Sequence, residues 1–87
     1  MATSKAATPW GGADLVEHVS VRQQAGERRF STRVELLETA SGERLVRFAY
    51  TTDGRARRGP VTLRARDLAR LHERLSHHPA LAEALGM

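Results

Sequence analysis

A change of period constrains this chain more than any other feature. Between Leu15 and Thr52 apolar side chains tend to recur at every second residue, and from Ala65 onward they recur at intervals of three and four. A period of two belongs to a half-buried β-strand and a period of 3.6 to an amphipathic helix. Residues 15–23 alternate with Leu15, Glu17, Val19 and Val21 on one face and Val16, His18, Ser20 and Arg22 on the other. Residues 28–38 set Phe30, Thr32, Val34 and Leu36 against Arg29, Ser31, Arg33 and Glu35. Residues 44–52 set Val46, Phe48, Tyr50 and Thr52 against Leu45, Arg47, Ala49 and Thr51, and their β-branched and aromatic content suits a pleated surface. Gly26, Gly42 and Asp53-Gly54 mark the turns. A basic loop over residues 55–60 then leads to a short fourth strand, Val61-Thr62-Leu63. Pro60, which has no N–H to donate, stands at its start.

In the last third, Leu68, Leu71, His72 and Leu75 share one helical face. Asp67 falls in the first turn, where the helix dipole favours an anion. His77-His78-Pro79 interrupts the helix, because a residue before proline resists the helical region. Residues 79–85 predict a second short helix, with Pro79 in its first turn and Gly86 just past its end. The order β-β-β-β-α makes this an α+β chain. Its expected architecture is a four-stranded antiparallel meander, one face covered by a C-terminal helix, with a short extra helix. Residues 1–12, small and polar and ending in Pro-Trp-Gly-Gly, read as a flexible arm, and residues 13–87 as a single domain. Trp10 either docks on the domain edge or stays with the arm.

Composition narrows the classes. At 87 residues the chain is one small domain, of a size that buries only about 60% of its unfolded surface. It has no cysteine, which excludes disulfides and thiolate zinc sites. No apolar run approaches the ~20 residues of a membrane span, and residues 1–12 lack the apolar centre of a signal peptide. A cytoplasmic protein without membrane association is therefore expected. A thin core invites oligomerisation, and Leu68, Leu71 and Leu75 are the expected homodimer interface.

The net charge is +4, and thirteen of the fourteen basic residues are Arg. Between Arg22 and Arg66 eleven Arg face five carboxylates, so the basic charge lies in the strand region. Arg29, Arg33 and Arg47 fall on polar strand faces, Arg55, Arg57 and Arg58 in the loop, and Arg64 and Arg66 at the entry to the helix. Such a surface can track phosphates, and guanidinium planes can stack on bases. Phe30, Phe48 and Tyr50 share faces with Val34, Leu36 and Val46 and read first as core. No phosphate loop, nucleophile elbow or paired-His helix is present, so no enzyme activity or cofactor is expected. The His72/His77 spacing of five does not suit a metal site on one helical face. Glu35 and Glu38 read as solvated.

The stretch Leu45-Val46-Arg47-Phe48-Ala49-Tyr50, followed by Asp53-Gly54, Arg57-Arg58-Gly59, Val61-Thr62-Leu63 and a helix with Leu68 and Leu71, resembles the transcriptional positive cofactor four family. The purine-rich-element-binding proteins, with the same β-β-β-β-α layout, are about as similar. The likeness spans residues 28–76 in layout and 45–71 in residues. It implies a curved sheet, a helix-mediated homodimer and single-stranded DNA or RNA on the sheet. Carried over, the basic loop supplies Arg55, Arg57 and Arg58, and the strands supply Arg33 and Arg47. Arg replaces the family's loop lysines, Pro60 follows rather than precedes the Gly, Arg64 stands at the usual Ser or Asn of the helix start, and Leu68 replaces an aromatic. The expected function is a small basic single-stranded nucleic-acid-binding module, associated with transcription. The alternative is a protein-interaction domain whose Arg face meets an acidic partner.

Overall fold

The computed structural model describes residues 5–87, and residues 1–4 of the expected arm lie outside the described residues. The chain forms a five-stranded antiparallel sheet in sequential order: β1 (Lys5–Thr8), β2 (Gly11–Ala25), β3 (Arg28–Thr39), β4 (Arg44–Thr52) and β5 (Arg55–Arg57). Two helices follow, α1 (Ala65–Leu75) and α2 (Pro79–Ala84). The α+β class and the antiparallel meander agree with expectation, with five strands in place of four.

Both turns near the basic segments follow from local chemistry. Ala25 pairs with Arg28 across a two-residue loop whose first member, Gly26, has φ +61°. Thr52 pairs with Arg55 across Asp53-Gly54, both at positive φ, the backbone of a tight hairpin turn whose twist matches the flanking strands. That turn accounts for the fifth strand. The chain reverses at Asp53-Gly54, and Arg55–Arg57 pairs straight back onto Tyr50–Thr52. The predicted strand Val61–Leu63 does not form; it crosses the helix side as irregular chain, held by Gln23 Nε2 donating to the Thr62 carbonyl at 3.4 Å and by Leu63 against the core. Part of the expected arm is also ordered, because Lys5–Thr8 pairs with Gly11–Asp14. Trp10, in the tight turn between these segments, is 68% exposed and does not dock.

Core residues arrive on one sheet face from Val19 and Val21 of β2 and Val34 and Leu36 of β3. Leu71 and Leu75 of α1 and Leu81 of α2 cover them. Glu17 Oε2 accepts the Leu81 amide at 2.8 Å, so a strand carboxylate satisfies one of the amides that the short helix leaves without an internal partner. The expected dimer stripe is thereby divided. Leu71 and Leu75 are buried in their own chain, and Leu68 alone is 51% exposed. His72, placed on the same helical face by its period, is exposed.

One irregularity shapes the other face. The β2–β3 register shifts between Leu15 and Glu17, a bulge that leaves Val16 unpaired and bends the strand. Leu15 pairs with Leu37 and Glu17 with Leu36, so Leu15 lies opposite Glu17, Val19 and Val21 rather than with them. Beyond the bulge the N-terminal hairpin curls over the face away from the helices. Arg47 Nη1 of β4 donates to the Ala7 carbonyl of β1 at 3.3 Å, although three strand spacings in a flat sheet would be about 14 Å. Leu37 and Ala13 are buried under this curl.

Candidate functional site

Strand pairing sorts the arginines into two environments. On the face away from the helices, Glu35 lies opposite His18 of β2 and Arg47 of β4. Its Oε1 accepts from Arg47 Nε at 2.8 Å, and its Oε2 pairs with Arg33 Nε at 3.0 Å. Glu35 is only 7% exposed, so the reading of a solvated carboxylate is corrected. Two strands must meet before this carboxylate gains both cations. Arg33 and Arg47 are therefore committed to an internal charge cluster.

The second environment is the end of the sheet that carries the β2–β3 turn, the Asp53-Gly54 turn, β5 and the start of α1. It gathers Arg22, Arg28, Arg29, Arg55, Arg57, Arg58, Arg64, Arg66 and Arg70. Against these nine stand Glu27, Asp53 and Asp67, a local excess of six in a chain of net charge +4. Among the described residues no ion pair or hydrogen bond engages the side chains of Arg28, Arg29, Arg55, Arg58 or Arg66. Arg57 Nε bonds Thr52 Oγ1. Tyr50 donates its hydroxyl to the Arg58 carbonyl at 2.9 Å, which ties the basic loop down by its backbone and leaves the guanidinium outside.

A groove of about 610 Å³ crosses this end, lined by Arg22, Arg29, Ser31, Thr51, Arg64 and Arg70 among others. Arg64 is the N-cap residue of α1 and makes no side-chain cap. Its Nε instead pairs with Asp67 at 2.8 Å, and Arg70 Nη1 reaches the same carboxylate at 3.2 Å and the Arg22 carbonyl at 3.1 Å. Asp67 is 1% exposed. The hydrogen bond from Arg64, then that from Arg70 and both positive charges, hold its pKa below the ordinary carboxylate value against the opposing effect of burial.

Of the predicted site residues, Arg29 and Arg64 line the groove, Arg55 follows its lining residue Gly54 on β5, Arg57 lines a neighbouring hollow, and Arg58 begins the loop after β5. Arg33 and Arg47 pair with Glu35, in a hollow that Arg57 also lines. Sequence reasoning passed over Arg22 and Arg70. The period-two pattern does place Arg22 on the polar side, but nothing local brings Arg70 to its carbonyl 48 positions away. Phe48, expected as core, is 49% exposed because neither helix covers that part of β4. Phe30 and Tyr50 pack edge to face with centroids 6.4 Å apart. Among the described residues no group of three metal-ligating side chains converges, and no helix is long and apolar enough to cross a membrane.

His18, beside this charge cluster, titrates below its ordinary value. Burial lowers it first and Arg33 second, while Glu35 raises it and His78 lowers it. The folded state then binds its proton less readily than the unfolded state, and stability falls as pH drops through the unfolded value of about 6.5. Thermal melts between pH 8 and pH 5 are expected to show a falling Tm, with a flatter profile in His18→Gln. A Tm that rises on acidification would contradict the assignment.

Comparisons with family models, with curated proteins and with solved structures find no match to this chain.

Proposed function

We propose that this protein binds single-stranded nucleic acid, with the phosphates on the basic end of the sheet. The observation that carries the reading is the crowding of nine arginines at one end, most of whose side chains have no partner among the described residues. Guanidiniums held out of ion pairs at a protein surface are suited to phosphate oxygens. The half-exposed ring of Phe48 on β4, in the hollow that Arg57 lines, offers one stacking platform. The reading centres the binding surface on β5, the loop and the start of α1, with Arg57 bordering the Arg33–Glu35–Arg47 cluster. The expected homodimer keeps Leu68 as its one exposed leucine.

A salt series with a labelled single-stranded oligonucleotide tests the proposal. Affinity should fall linearly on a log–log plot, and single strands should bind more tightly than duplex. The double variant Arg57→Gln/Arg58→Gln should lower the slope by about 1–2 units at unchanged Tm, because each lost phosphate contact removes about 0.7 units for a single strand. A parent that fails to bind at low salt overturns the reading and leaves an acidic protein partner as the better account of the charge.

A further inference from the structure

The groove differs from the rest of the basic surface because it is built rather than merely charged. Arg22, Ser31 and Thr51 are register neighbours on three successive strands, so two small hydroxyls and one guanidinium form a row across the sheet. Arg29 enters from the start of β3, and Arg64 and Arg70 from α1. The carboxylate lining the far rim is Asp53.

Asp67 lies beneath the helix side of this groove and is not part of its lining. It engages Arg64 through Nε and Arg70 through Nη1, and Arg70 Nη1 also bonds the Arg22 carbonyl on the outer edge of β2. Each guanidinium carries five N–H donors in a planar fork. Both Nη groups of Arg64 and the Nη2 of Arg70 thus remain to donate. The buried carboxylate takes away one charge and in return removes the rotamer freedom of two long side chains. A bound phosphate would otherwise have to order them itself.

We infer that this groove is the principal phosphate subsite of the protein. It holds the phosphodiester backbone of a single strand between Arg22, Arg29, Arg64 and Arg70, and Asp67 is its positioning residue. The inference rests on the nucleic-acid reading above. The hydroxyls of Ser31 and Thr51 donate to the same phosphates from the floor. Arg57 and Arg58 contact the strand where it leaves the groove.

The test exploits an opposition of signs. Asp67→Asn raises the net charge by one, so a surface acting by charge alone would bind a polyanion more tightly. If Asp67 orients Arg64 and Arg70, the same variant binds a labelled oligothymidylate more weakly, by about three- to tenfold at low salt, with a shallower salt slope. Arg22→Gln/Arg29→Gln, whose side chains make no bond to the buried carboxylate, should lose about tenfold and lower the slope by about 1–2 units. Circular dichroism melts establish that each variant is folded at the binding temperature. Should Asp67→Asn fail to fold, Arg22→Gln/Arg29→Gln and the single variant Arg64→Gln carry the test. If the parent binds and the folded variants bind as tightly with the same slope, the groove is overturned while the nucleic-acid reading stands. A parent that binds no oligonucleotide at low salt overturns both.

Discussion

Replacing Leu36 with Ala is expected to cost about 2–5 kcal/mol, the range for truncating a buried leucine whose surroundings cannot fully collapse. Leu36 is fully buried on the helix side of β3, in one cluster with Val34, Leu71, Leu75 and Leu81. In a domain of this size each kcal/mol moves Tm by roughly 4–8 °C, so the melt should shift by at least about 8 °C. Domains this small hold few kcal/mol in reserve, and part of the Leu36→Ala population is expected to be unfolded at 37 °C. Leu68→Ala supplies the comparison. Its side chain is half-exposed, and surface substitutions usually stay within about 0.5 kcal/mol. Urea melts of the two variants decide the matter. Equal midpoints would mean that α1 and α2 do not close over this face.

Glu35→Gln should move stability and binding in opposite directions. The amide keeps the volume but loses the charge that holds Arg33 and Arg47. A lost partner of this kind costs roughly 1–3 kcal/mol when the remaining group is buried. Here the cost lies toward the lower end, because Arg33 and Arg47 are 31% and 41% exposed and water can reach them. The same change frees two guanidiniums on the sheet. Oligonucleotide affinity should rise, and the salt slope should steepen by about 1–2 units as two further phosphates come within reach. A variant with lower Tm and unchanged binding would show that the strand never crosses this face. A variant unchanged in both would return Glu35 to the solvated carboxylate that its position in an alternating strand suggests.

That contrast between a residue's local pattern and its neighbours runs through the whole molecule. Three strands were legible because a half-buried strand must alternate, and α1 and α2 because a covering helix must repeat near 3.6; both periods are local properties of the backbone. The Asp53-Gly54 reversal was legible for the same reason, since positive φ at successive residues is a property of the residues themselves. The bulge at Val16 was not. Leu15, Glu17, Val19 and Val21 keep an unbroken alternation on paper, and only pairing with β3 puts Leu15 beside Leu37 on the opposite face. Nor could Arg55–Arg57 be told from an open loop, because three exposed residues carry no pattern until Tyr50–Thr52 pairs with them. The site divides along the same line. The sequence alone determined that a basic surface exists and that most of its charge lies between Arg22 and Arg66. Tertiary structure decided which arginines are free, because ion pairing depends on distances across strands and across the helix–sheet contact. Glu35 engages two of the expected residues, and Asp67 holds Arg64 together with an Arg70 that also reaches a carbonyl of β2, a meeting that no spacing along the chain encodes.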